Sequence, residues 1–242
     1  MTARDDVLAR IRGANAAAGN PPPPEVPRDY HRSGEHAPGS DAVVDLLVDR
    51  LVDYRATVID ARGGRTDDRS AGAHRGSPPA PSPGTTSGSP TSTAAVGPTP
   101  ASDVHAAIRT ALSGITGPVV VPPGLPAGWW PDGTVDAGFS PADLDGYAAV
   151  VTACATACAT TGTIALDASP DQGRRAITLV PDVHVCVVRA DQVVQTVPEM
   201  LARLEPTRPT TFVSGPSATS DIELERVEGV HGPRTLIVVL VG

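Results

Sequence analysis

The sequence predicts an α/β fold with a mostly parallel sheet flanked by helices, and three observations carry that expectation. Short β-branched segments alternate with segments of helical period, the layering of an α/β domain. The runs Val183-His184-Val185-Cys186-Val187-Val188 and Thr235-Leu236-Ile237-Val238-Val239-Leu240-Val241 are almost continuously apolar, as expected of strands covered on both faces. Hydrophobic residues make up 40% of the chain but aromatics only 3%, so the core is assembled from Val, Ile, Leu and Ala rather than from rings. A chain of 242 residues is long enough to bury such a core as one domain without staples.

In chain order, Val7, Leu8 and Ile11 share one face of a short amphipathic helix expected to stop at Gly13 and the small residues before Pro21. A Pro, Gly and charge-rich stretch follows, and then Val43, Val44, Leu47, Val48 and Leu51 repeat helically, with Asp41 placed to cap them. Ala56-Thr57-Val58-Ile59 has strand character. Between residues 63 and 100 the composition collapses into Gly, Ser, Thr and Pro, too poor in apolar surface to offset the entropy of ordering. Ser102 or Asp103 is placed to cap a helix holding Val104, Ile108 and Leu112, ended by Gly114 and Gly117, and Val119-Val120-Val121 is a short buried strand. Ala148 to Thr152 reads as a strand. A small-residue helical turn is expected through Cys154 and Cys158, leading past a bend at Gly162 into Thr163-Ile164-Ala165-Leu166. Val193 to Leu204 repeats helically, and Thr210 to Val213 is a strand before the last glycine-rich segment. The predicted organisation is an N-terminal helix over 1–20, one α/β domain over 41–62 and 101–242, and a flexible low-complexity insertion over 63–100.

Composition excludes several functions. The formal charge is −8 at pH 7, which opposes a polyanionic partner, since nucleic-acid binding relies on clustered cations. All 19 basic residues are Arg, so there is no phosphate-binding, Schiff-base or general-base lysine. The three cysteines, Cys154, Cys158 and Cys186, are too few and odd in number for a secreted disulfide framework. The N-terminus lacks the apolar core of a signal peptide, and no segment reaches membrane-spanning length. A soluble cytoplasmic protein is the expectation.

Two loops are candidates for chemistry. In Val213-Ser214-Gly215-Pro216-Ser217-Ala218-Thr219-Ser220-Asp221-Ile222-Glu223 a strand enters a Gly/Ser/Thr turn, with Ser220 and Glu223 at capping-box spacing. That is either an ordinary capped helix or a place where amides and hydroxyls, those of Gly215, Ser217, Thr219, Ser220 and Asp221 among them, converge on a carboxylate or phosphate. His231, in Gly229-Val230-His231-Gly232-Pro233-Arg234, is the best acid/base candidate, read alternatively as a local hydrogen-bonding residue of its turn. Arg234 is placed either to hold an anion or to be solvated. Cys154 and Cys158 lack nearby His ligands and read as small core residues rather than a metal site. His184 alternates to the opposite sheet face from Val183 and Val185, there to be satisfied structurally or to approach the cleft.

Ala159-Thr160-Thr161-Gly162-Thr163-Ile164, Leu179-Val180-Pro181-Asp182-Val183-His184-Val185, the run from Ser214 to Glu223, and Gly229-Val230-His231-Gly232-Pro233 together resemble the LUD-domain (lactate-utilisation) family. The resemblance covers most of Val150 to Val241. It implies a fold akin to the phosphosugar-isomerase and CoA-transferase group (NagB/RpiA/CoA-transferase-like) and adds Thr161, Gly162, Thr163 and Gly232 to the anion-binding candidates. It also implies an accessory role in oxidising L-lactate to pyruvate alongside iron–sulfur proteins; the chain has no iron–sulfur motif of its own, so any cluster belongs to a partner. A stand-alone enzyme of the isomerase, CoA-transferase or folate cyclo-ligase type and a catalytically degenerate scaffold are the alternatives. Thr160 stands where the family usually has Glu, and Ala218 where it usually has Arg, which removes a possible acid or nucleophile and a bidentate anion clamp.

Overall fold

The computed structural model describes residues 2–19, 25–26, 28–64, 67–69, 99–219, 227–228 and 232–242. The chain divides into two compact units, residues 1–31 and 32–242. The first is built on α1 (Ala3–Ala17), opened by Thr2 and Asp5 in a capping box. α1 continues through Gly13, where a stop was expected. A single glycine costs a helix only about 1 kcal/mol, and three alanines among the next four residues carry it on.

The second unit contains, in order, α2 (Asp41–Asp53), β1 (Thr57–Asp60), β2 (Asp67–Arg69), α3 (Ala101–Ala111), β3 (Val119–Val121), β4 (Thr134–Val135), α4 (Pro141–Leu144), β5 (Ala149–Thr152), β6 (Thr156–Cys158), β7 (Thr163–Leu166), β8 (Val183–Arg189), β9 (Val193–Val194), α5 (Val197–Ala202), β10 (Thr211–Val213), β11 (Ala218–Thr219), β12 (Val227–Glu228) and β13 (Thr235–Val241). The main sheet has the order β2-β1-β13-β8-β5-β3-β4. All its pairings are parallel except that of β2 with β1. β2 lies inside the stretch predicted as an insertion; residues 65, 66 and 70–98 of that stretch lie outside the described residues. Thr99 is tied to the end of β13, its backbone N–H donating to Gly242 O at 3.1 Å.

Each face of the parallel sheet is covered, as the unbroken apolar runs of β8 and β13 require. On one side α3 packs Val104, Ala107, Ile108 and Ala111 against Val185, Val187, Ile237 and Val239. On the other, Val43, Val44, Leu47 and Leu51 of α2 meet Cys186, Val188, Leu236, Val238 and Leu240. That second side also carries a small mixed sheet of order β10-β7-β6-β9, whose Ala157, Ile164, Leu166 and Val193 join the same core.

Several local expectations are corrected. Cys154 to Cys158 is extended, not helical: Thr156, Ala157 and Cys158 form β6, fully buried between β7 and β9, so sheet pairing overrides the alanine-rich composition. The helix predicted from Val193 is shorter. Val193–Val194 pairs with β6, and α5 starts only after Thr196, whose hydroxyl and N–H both donate to Glu199. The caps also sit one or more residues earlier than predicted. Ser40 precedes α2 with Asp41 in its first turn, where a carboxylate favours the helix dipole, and Pro100 precedes α3. β4 and α4 had no counterpart in the sequence reading. Among the described residues, no helix is long and apolar enough to cross a membrane.

Candidate functional site

A cavity of about 230 Å³ opens between the parallel sheet and the small sheet, and Gly215, Ser217 and Gly232 line it. β10 pairs antiparallel with β7, ending with Val213 opposite Ile164. The next residues outward therefore face one another, and the hydroxyls of Thr163 and Ser214 lie 2.8 Å apart. This contact joins the Thr161-Gly162-Thr163 turn to the head of the Ser214–Ser217 loop.

Both turns are pressed onto the last turn of α2, and glycine is what permits it. Gly215 has φ +84°, and a Cβ there would lie 2.7 Å from Tyr54 Cβ and 2.8 Å from Tyr54 O. Gly162 has φ +58°, with a Cβ falling 2.8 Å from Arg50 Cβ. The second family motif closes on the first through the backbone, Ser217 N–H donating to Pro233 O at 2.9 Å. The expected turn after Val213 is present, but it leads into β11, which pairs antiparallel with β12. Ser220, Asp221 and Glu223, and with them the expected capped helix, lie outside the described residues, as does His231. Thr219 belongs to β11.

The opposite wall comes from residues that the sequence reading missed or left undecided. Arg174 is clamped by Asp136, with Nε to Oδ2 at 2.7 Å and Nη2 to Oδ1 at 2.8 Å. It thereby fixes the 3₁₀ turn Arg175–Thr178 that follows, anchored below by the fully buried Ile177. Arg175 and Thr178 of that turn both line the cavity, and Arg175 Nη1 donates to Thr178 O at 2.9 Å and Oγ1 at 3.1 Å. Burial holds the Arg175 guanidinium below its ordinary pKa. Arg175 is exposed as a residue, and the available signal was only an arginine beside a second one ahead of the apolar Ala176-Ile177.

His184 is the other wall residue. It sits opposite Leu236 in the β8–β13 ladder, is 2% exposed, and shares a hydrogen bond of 2.8 Å between its Nε2 and Thr152 Oγ1. Both sequence alternatives therefore hold together, since the ring is satisfied within the sheet and also lines the cavity. Burial, and then the positive charge of Arg175, pull its pKa down to about 4, so the imidazole is neutral at physiological pH.

Other predicted residues lie apart from this cleft. Arg234 is largely exposed and pairs with Asp182, Nε to Oδ1 at 3.3 Å, beside a separate surface pocket that includes Asp145 and Tyr147. Thr160 is exposed at the β6–β7 turn, its N–H donating to Gln195 O at 3.1 Å. Thr161 Oγ1 is buried without a hydrogen-bond partner among the described residues. Cys154, Cys158 and Cys186 are buried free thiols.

A parallel sheet backed by helices, with a small second sheet enclosing a cleft whose described lining includes hydroxyl side chains, one arginine and one histidine, defines an α/β protein with a polar cleft between its two sheets. The LUD domain family model matches residues 143–241, which include every described residue that lines the cleft. Lactate utilization protein C of Deinococcus radiodurans is 52% identical over 150 residues, which cover 59% of this chain and 70% of that protein. An uncharacterised protein of Neisseria meningitidis serogroup B is 34% identical over 112 residues, covering 44% of this chain and 42% of its own length. The crystal structure of a DUF162 family protein from Deinococcus radiodurans superposes with a TM-score of 0.58 at 34% identity, over 83% of this chain and 97% of that one. The chain belongs to the LUD-domain family.

Proposed function

We propose that this protein acts in lactate utilisation as an accessory to iron–sulfur proteins, and that its cleft holds a small carboxylate or phosphate. The observation that carries the reading is the convergence of the Ser214–Ser217 loop, Gly232, Thr178 and Arg175 on one cavity, with the Thr163 hydroxyl bonded to Ser214 at its edge. Hydroxyl donors around a partly desolvated cation attract an anion more strongly than the same groups in water. The relative named for lactate utilisation supplies the physiological context. Electron transfer is assigned to partners because the three cysteines of this chain are spent inside its core.

Deletion of the gene should abolish growth on L-lactate as carbon source and spare growth on glucose. The wild-type copy should restore it, and Arg175→Ala should not. Affinity capture under anaerobic, low-salt conditions should recover iron–sulfur proteins. Normal growth of the deletion strain on lactate would refute the role, and full rescue by Arg175→Ala would refute the cleft as its working part.

A further inference from the structure

We propose that the cleft takes an amphipathic anion, a carboxylate whose apolar chain runs past Arg175 into a second cavity beside β10. The inference rests on the anion reading above and adds the part of the ligand that reading leaves undefined.

A cavity of about 160 Å³ adjoins the first and shares Arg175, Thr178 and Thr211 with it. The shared residues come from two stretches of chain, the 3₁₀ turn and the start of β10. Along the β10 side the lining passes from Pro209 through Thr211 to Val213 and the Ser214–Ser217 loop. Along the other it passes from Gln172 and Gly173 to Arg175 and Thr178. The two spaces therefore follow one another between the same two stretches, with Arg175 where they meet.

Their chemistry differs. Apart from the shared residues, the second cavity is lined by Leu166, Ala168, Gly173 and Pro209, with Gln172 and Arg174. Both of these polar side chains already have protein partners. Gln172 Oε1 accepts from the Asp167 N–H at 2.6 Å, and Arg174 is clamped by Asp136. Thr178 Oγ1 donates to Arg175 O and accepts from Arg175 Nη1, each at 3.1 Å. The second cavity thus offers a ligand mainly apolar contact, and a water there few partners. Ala168 holds a left-handed φ of +57°, a conformation unfavourable for alanine and one that recurs at ligand sites. A space of this size admits a benzene-sized group or a chain of a few methylenes. Each methylene buried there is worth about fourfold in affinity, so an anion with a tail outbinds one that stops at Arg175.

Isothermal titration of the full chain at pH 7 with acetate, butyrate, hexanoate and octanoate isolates the tail, because the head group stays constant. Hexanoate should bind at least about tenfold tighter than acetate, and the gain should level off once the space is full. Thr211→Phe, an aromatic suited to a strand, obstructs the junction of the two cavities and should cut that ratio to about twofold or less. Ala168→Asn puts a polar amide in the wall of the second cavity on a residue type that tolerates the left-handed backbone. It should lower the ratio as well, and it serves as the test should the phenylalanine variant fail to fold. Acetate and hexanoate bound within about twofold of each other by the wild-type chain overturn the proposal and leave the anion reading standing. A ratio of wild-type size in either folded variant does the same. Binding of none of the four acids, with inorganic phosphate also inert, overturns both.

Discussion

Replacing His184 should remove a specific component of the protein's acid sensitivity. The ring is 2% exposed, and its pKa falls from 6.5 to about 4, first because burial penalises the charged form and second because Arg175 repels it. Above pH 6.5 the ring is neutral in both the folded and the unfolded chain, so this contribution to stability is fully present. As the pH falls from 6.5 toward 4, the unfolded chain gains a proton that the folded chain refuses, and stability declines; below pH 4 the two states titrate together and the loss levels off. Each pH unit in that window corresponds to about 1.4 kcal/mol, so the full loss is about 3 kcal/mol and that at pH 5 about 2 kcal/mol. Urea denaturation of the wild-type chain and His184→Gln at half-unit steps from pH 7 to pH 4 reads this directly, because titration of the other groups cancels in the difference. The His184 ring proton resonances, followed by NMR, should show no midpoint near 6.5. Parallel stability profiles for the two proteins between pH 4 and 6.5, or a ring titrating at its ordinary pKa, would refute the argument.

Other consequences follow from the packing. Gly215→Ala places a Cβ 2.7 Å from Tyr54 Cβ at a φ of +84° and should cost more than about 1 kcal/mol in thermal or urea denaturation, whereas Gly13→Ala, with nothing within 4 Å, should raise helicity by circular dichroism. Asp136→Asn should weaken the clamp on Arg174, costing about 1 kcal/mol given the half-exposed guanidinium, and should lower the affinity for any cleft ligand more than a comparable surface change does. The neighbouring Cys186 thiol, and then burial, raise the Cys154 pKa, so a thiol reagent such as dithionitrobenzoate should label no cysteine of the native protein at pH 8 within minutes and all three after unfolding. Rapid native labelling of Cys154 would contradict the core described for it.

The parts of the fold legible in the sequence are those where local pattern and tertiary environment agree. β8 and β13 read as strands because residues buried on both sides have no polar face to confuse the period. α2 and α3 read as helices because each buries one stripe. The errors fall where the two disagree. Thr156-Ala157-Cys158 carries no strand signal stronger than its single β-branched residue, and only pairing with β7 and β9 decides it. The cleft was legible to the extent that it is made of motif: Gly215, Ser217 and Gly232 line it because their turns are local. Arg175 was not legible, since its position depends on Arg174 being held by Asp136, 38 residues away in sequence.

The location of the cleft also bears on how it must bind. His184 and Leu236 are the second residues of β8 and β13, so the cavity lies at the starting ends of the two central parallel strands. In open parallel sheets ligands ordinarily bind beyond the finishing ends of the strands, where helix N-termini converge and their dipoles attract anions. The described lining of this cleft comes from strands, loops and a 3₁₀ turn. An anion bound there, as proposed, would accordingly be held by side-chain and loop donors around Arg175. Such a site is sensitive to the conservative change Arg175→Lys, because lysine offers a point charge in place of a planar five-donor fork. The expected result of that substitution is a loss of small-carboxylate affinity by about tenfold with folding intact. Affinity equal to wild type would show that charge alone suffices and that the fork geometry of Arg175 has no part in recognition.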